Sequence, residues 1–116
     1  MELNEYQQEA LNTAVYPREF ATVYPALGMK GEAGEVADKV KKIIRDTAFV
    51  RDEKGEIVLS DEKRESLALE VGDVLWYCAT LAHDIGMTLE EVAKMNVDKL
   101  QSRQNRGKLK GSGDYR

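Results

Sequence analysis

Residues 67–82 read LALEVGDVLWYCATLA, and Glu70 and Asp73 are the only charged side chains among them. Leu67, Val71, Val74, Cys78, Leu81 and Ile85 recur at alternating steps of four and three, which is one stripe of an α-helix. Glu70, Asp73, Tyr77, Thr80 and Asp84 repeat in the same way and form a neighbouring stripe. Residues three apart on a helix are separated by roughly 300°, so the two carboxylates share a face about one turn apart. Leu69, Val71, Leu75 and Trp76 flank them, so the pattern predicts a helix that is largely buried. A carboxylate leaving such a helix is costly unless something positive meets it. That cost makes these two acids the first candidates for a functional site.

Upstream, residues 25–46 read PALGMKGEAGEVADKVKKIIRD and carry a second long helical pattern. Met29, Ala33, Val36, Val40 and Ile43 form its apolar stripe, with Gly28, Glu32, Glu35 and Lys39 beside them. Gly28, Gly31 and Gly34 each weaken a helix by roughly 1 kcal/mol relative to Ala, which predicts close approach of a backbone or ligand. A shorter first helix is expected from Asn4 to about Val15, with Asn4 as N-cap and Gln7 as its reciprocal partner, ended by Pro17. Residues 47–60, TAFVRDEKGEIVLS, break the helical period and suit a small hairpin or loop. Ser60 caps the third helix, which runs to about Ile85 before Gly86 stops it. Thr88 to Glu91 form a capping box for a fourth helix over about Leu89–Gln104.

These elements predict an all-α protein, a four- to five-helix bundle with a hairpin or loop insertion. The third helix would be about 39 Å long at 1.5 Å per residue. A compact chain of this size has a radius of gyration near 13 Å. One chain cannot cover such a helix, so at least a dimer is expected, with a tetramer as the alternative.

At 116 residues, with 33% charged and 42% hydrophobic side chains, the chain reads as one domain over residues 1–116. Its net charge of −4 argues against stable nucleic-acid binding. From Lys99 onward the balance reverses, with Lys99, Arg103, Arg106, Lys108, Lys110 and Arg116 against Asp114 alone. Residues 105–116 thus read as a basic, Gly-rich, mobile tail, either solvated or reaching for phosphates. Cys78 is the only cysteine and sits on the apolar stripe, so it is read as a core residue with no disulfide. No apolar run approaches the ~20 residues that span a bilayer, and MELNEYQQEA is unlike a signal peptide. A cytoplasmic protein with no membrane partner is expected.

Two helices carry acidic pairs at identical spacing, Glu32-x-x-Glu35 and Glu70-x-x-Asp73. If they face each other, two charges 4 Å apart at an effective dielectric of about 20 repel by roughly 4 kcal/mol. Protonation relieves that repulsion, and so do divalent cations, for which oxygen-only ligands favour Mg²⁺, or Mn²⁺, over zinc. His83, the sole histidine, forms no Glu-x-x-His pattern, which counts against a di-iron site. The bland alternative is surface acids paired with neighbours, as Glu35 with Lys39 at i,i+4.

GEAGEVADKVKK followed by LALEVGDVLWY resembles the E-x-x-E … E-x-x-D signature of the MazG-like nucleoside triphosphate pyrophosphohydrolases. YPALGMKGE, NVDKLQSRQNRGK and the terminal GSGDYR are also similar to that family, so the resemblance runs from Tyr24 to Arg116. It implies an all-α oligomer that binds Mg²⁺ through Glu32, Glu35, Glu70 and Asp73. It also implies cleavage of a nucleoside triphosphate to the monophosphate and pyrophosphate, by attack of water at the α-phosphorus. Glu35, with Glu32, is the candidate to hold that water. Lys39, Lys99 and Arg103 are candidate phosphate contacts, and Tyr77 and Asn96 candidates for the base or sugar, with Trp76 assigned to core or interface. Two features depart from the pattern. The acidic pairs are further apart than in compact members, and Gly31 stands where the E-E-x-x-E dUTPase relatives have another Glu. Phosphoribosyl-ATP pyrophosphohydrolase is the alternative within the superfamily, and a non-catalytic helical oligomer the alternative outside it.

Overall fold

The computed structural model describes residues 1–116, and four helices account for most of them. They are α1 (Leu3–Leu11), α2 (Val23–Arg45), α3 (Asp61–Asp84) and α4 (Leu89–Asn105). A 3₁₀ turn at Arg18–Phe20 precedes α2. Two-residue strands β1 (Val50–Arg51) and β2 (Ile57–Val58) form an antiparallel hairpin between α2 and α3, pairing Val50 with Val58 and Arg51 with Ile57. The expected all-α architecture with a hairpin insertion is the one observed.

Side-chain caps set two of the helix starts. The Ser60 hydroxyl accepts from the Lys63 amide at 3.2 Å, and Thr88 accepts from the Glu91 amide at 3.0 Å. The first helix differs from the sequence reading. Its N-cap is Glu2, which exchanges capping-box bonds with Glu5. Asn4 instead meets another helix: its Oδ1 accepts from the Glu90 amide at 3.1 Å and its amide donates to the Glu90 carboxylate at 3.2 Å. Gln7 is buried, donates to the Ala79 and Met87 carbonyls and accepts from the Leu89 amide. α1 also ends at Leu11, earlier than expected: the amides of Asn12, Thr13 and Ala14 turn tightly onto the Glu9, Ala10 and Leu11 carbonyls, and the Trp76 indole N–H is shared there between the Ala10 carbonyl and the Thr13 hydroxyl.

The core lies where α1, α3 and α4 converge. Ala10, Ala79 and Leu89 are buried there, with Tyr6, Trp76 and Cys78 packed around them. α2 runs antiparallel beside α3, with Thr22 at its start bonded to Asp84, Gly28 against Tyr77 and Lys39 bonded to Ser66. Gly28 permits this approach: a Cβ there would lie 2.3 Å from the Tyr77 ring. Gly28→Ala is therefore expected to destabilise the chain by about 1–3 kcal/mol in a urea melt, since the ring must move. Gly31 and Gly34 have no such neighbour within 4 Å, so close approach holds at Gly28 alone.

The α2–α3 pair leaves large apolar side chains exposed. Leu27 is 70% exposed, Leu69 66% and Val71 54%, so α3 is not the buried helix its composition suggests. The radius of gyration is 17.4 Å, well above the ~13 Å of a compact chain of this length. Only ten of 116 residues are buried. No helix is long and apolar enough to cross a membrane.

Candidate metal centre on the paired helices

Helical spacing brings three acids together across the α2–α3 pair. Glu32 from α2 and Glu70 and Asp73 from α3 each offer a carboxylate oxygen, all within 4.8 Å of one another. Burial raises the pKa of Glu32, and the charges of Asp73, Glu70 and Glu35 raise it further. An oxygen-only set this tight suits a hard divalent cation, and the mutual repulsion is what such an ion removes. Glu35, one turn further along α2, is exposed and lies outside the close group, although its charge reaches Glu32.

Lys39 sits beside the cluster. Its ammonium is 3.0 Å from the Glu70 carboxylate and donates to the Ser66 hydroxyl at 2.8 Å and the Ser66 carbonyl at 3.3 Å. Glu70, not Glu35, is thus its partner. Tyr77 follows Asp73 by one helical turn and packs on Gly28, with Trp76 edge-on at 5.0 Å and Tyr24 tilted at 6.5 Å. Burial raises the pKa of its phenol, with Tyr24, Glu32 and Asp73 adding to the rise.

The remaining candidates occupy a different part of the chain. Asn96 and Lys99 line a groove of about 560 Å³ with Ile85, Met87, Val92 and Tyr115. Ile85 lies about 18 Å beyond Asp73 along the axis of α3. Lys99 pairs with Asp114 at 3.3 Å. Arg103 is 5% exposed and donates to the Gly113 and Asp114 carbonyls at 3.1 and 2.9 Å. Lys99, and then Arg103, hold the Asp114 carboxyl below the usual range. Residues 105–116, basic and Gly-rich, are in this way folded back onto α4, with Arg106 and Arg116 adding bonds to tail carbonyls. One chain does not bring Asn96, Lys99 or Arg103 to the carboxylates.

Asp84 is the polar residue that sequence reasoning passed over. It lies on the Glu70–Asp73 stripe, and its side chain is 1% exposed. Its carboxylate accepts from the Tyr16 hydroxyl at 2.6 Å and the Thr22 amide at 2.9 Å, with Arg18 at 3.4 Å. Thr22, at φ 71, is in the left-handed region that a β-branched residue rarely adopts, and Asp84 holds its amide there. The stripe signalled a polar face. The partners, more than sixty residues upstream, had no local signal.

Two paired helices presenting three clustered carboxylates define an all-α protein with a candidate cation site. Residues 24–107 match the MazG nucleotide pyrophosphohydrolase domain, and the chain belongs to that family. It is 42% identical, over an alignment of 122 positions covering the whole of both chains, to the Gene 37 protein of Mycobacterium phage L5. No solved structure matches it.

Proposed function

We propose that this chain is a Mg²⁺-dependent nucleoside triphosphate pyrophosphohydrolase that converts a (d)NTP and water to the (d)NMP and pyrophosphate in the cytoplasm. The observation that carries this reading is the convergence of Glu32, Glu70 and Asp73 from two helices. These three hold the ion, and Glu35 completes the acidic set from its exposed position on α2. What a bound Mg²⁺, or Mn²⁺, supplies is neutralisation of phosphate charge and acidification of water. Glu35 takes the proton as the water oxygen bonds to the α-phosphorus. The bond from that phosphorus to the bridging oxygen breaks, and pyrophosphate leaves. Tyr77, held against Gly28, borders the base or sugar.

The working form in this reading is a homo-oligomer, a dimer or tetramer. Leu27, Leu69 and Val71 are uncovered on the helices that carry the acids, and a second copy supplies the missing cover. That copy also brings Asn96 and Lys99 of its α4 to the phosphates, since they are remote from the acids of their own chain, while Arg103, enclosed by the Gly113 and Asp114 carbonyls, holds the tail that accompanies them. Light scattering is expected to give two or four times the chain mass. A monomer at micromolar concentration defeats this part of the reading.

The deciding assay is product analysis over a panel of NTPs and dNTPs with Mg²⁺, comparing wild type with Glu70→Gln. Monophosphate and pyrophosphate from wild type alone are expected. Orthophosphate as the product rules out attack at the α-phosphorus. No turnover of any nucleotide returns the weight to phosphoribosyl-ATP or to a non-catalytic oligomer.

A further inference from the structure

The acidic centre already contains a cation of its own. Lys39 is the only lysine or arginine in ion-pair contact with any of the three clustered acids. It crosses from α2 to α3, and both residues that hold it, Ser66 and Glu70, lie one turn apart on α3. The Ser66 hydroxyl and carbonyl add two bonds to the ammonium besides its contact with Glu70. With Lys39 in place, three carboxylate charges leave a net charge of −2 at the centre.

A divalent ion arriving alone must therefore settle beside an ammonium already seated on one of its ligands. An ion arriving with a triphosphate brings negative charge with it, and that charge gives Lys39 a second partner. We infer that Lys39 is the internal counter-ion of the centre, holding down its affinity for free cation and making cation binding depend on the nucleotide. The inference rests on the Mg²⁺-dependent reading and gives Lys39 a role exerted on Glu70 in the empty centre and on the triphosphate in the loaded one. Even at a water-like dielectric, a unit and a double charge about 6 Å apart repel enough to shift an equilibrium about tenfold.

The test is a titration with Mn²⁺, reading free ion by electron paramagnetic resonance, with and without a non-hydrolysable triphosphate, each reading corrected for the Mn²⁺ that the same triphosphate takes up without protein. Wild type, Lys39→Met, Lys39→Arg and Glu70→Gln are compared. Lys39→Met is expected to bind free Mn²⁺ about tenfold tighter than wild type and to lose most of the strengthening that the triphosphate gives wild type. Its metal-free form melts lower, and Mn²⁺ raises its melting temperature by more than it raises that of wild type. Lys39→Arg, which keeps the charge, stays close to wild type. If Lys39→Met does not fold, as judged by circular dichroism, Lys39→Gln takes its place with the same expectation. Affinity for free Mn²⁺ equal to or weaker than wild type in the neutral variant overturns the counter-ion role alone. Absence of Mn²⁺ binding by wild type, with or without the triphosphate, overturns the metal reading and this role with it.

Discussion

Glu32→Gln, Glu70→Gln and Asp73→Asn are each expected to lower pyrophosphate release by at least about a hundredfold, the scale of removing one preorganised electrostatic group from a reacting centre. The reason is geometric. Each of the three acids supplies one oxygen of a group whose members all lie within 4.8 Å, so losing any one leaves an incomplete ligand set. Glu35→Gln is expected to separate from them. As an exposed residue outside that group, it should lose turnover while Mn²⁺ affinity falls less than in the other three variants. Equal loss of Mn²⁺ affinity in all four would make Glu35 a ligand and remove it as the acceptor of the proton.

The same cluster has a pH signature with a definite sign. Glu32 has a raised pKa in the fold, so its contribution to stability is present below the unfolded glutamate value and lost as pH rises through the folded one. A divalent cation reverses this, because it binds the ionised carboxylates and opposes their repulsion. Stabilisation by saturating Mg²⁺ is therefore expected to be larger at pH 7.5 than at pH 4.5. Asp84 and Asp114, with lowered pKa values, contribute with the opposite sign, so the measured quantity is wild type minus Glu32→Gln at each pH. A cation effect of equal size in both proteins would place the ion elsewhere.

The features legible in the sequence were those encoded locally. The four-three stripes of α2 and α3, the Ser60 and Thr88 caps and the hairpin after α2 are all set by residues within a few positions of each other. Glu32, Glu70 and Asp73 were legible for the same reason, since spacing places them on helix faces and the apolar setting of α3 implies a partner helix. Long-range competition was not legible. Asn4 was read as a cap for its own helix, yet it caps α4, because the amide of Glu90 is exposed at a helix start and Asn4 is the neighbour that reaches it. Trp76 meets the end of α1 through a hydrogen bond that no pattern in residues 4–15 encodes. The apolar circumference of α3 implied burial, but apolar residues state only a requirement for cover. Leu69 and Val71 remain uncovered by this chain. The α4 basic residues were assigned to phosphate from charge alone, and in the fold Arg103 is enclosed by the carbonyls of residues 113 and 114.

Asp84→Ala is expected to destabilise the fold by about 2–3 kcal/mol, because it leaves a buried hydroxyl and a backbone amide without an acceptor. For a chain of this size that corresponds to a fall of roughly 10 °C in melting temperature. The lesion should be localised. Tyr16 loses its 2.6 Å bond, and Thr22 loses the contact that holds its left-handed backbone at the start of α2. Tyr16 also stacks on Tyr24 at 4.8 Å and meets Trp76 edge-on at 6.4 Å, so the first turn of α2 and the aromatic group around Tyr77 share this anchor. Hydrogen exchange of the amides of residues 16–26 should accelerate more than that of α4. Burial alone raises the pKa of Asp84, but the Thr22 amide, the Tyr16 hydroxyl and Arg18 outweigh it and hold the carboxyl below its ordinary value. Its contribution to stability is therefore complete above the unfolded aspartate pKa, about 3.9, and is lost as pH falls through the lower folded value. Asp84→Asn keeps an acceptor for one donor and removes the charge. It should cost about 1 kcal/mol near neutrality and abolish this part of the acid sensitivity. If Asp84→Ala melts with wild type while Mn²⁺ affinity collapses, Asp84 belongs to the acidic centre and the anchoring role is wrong.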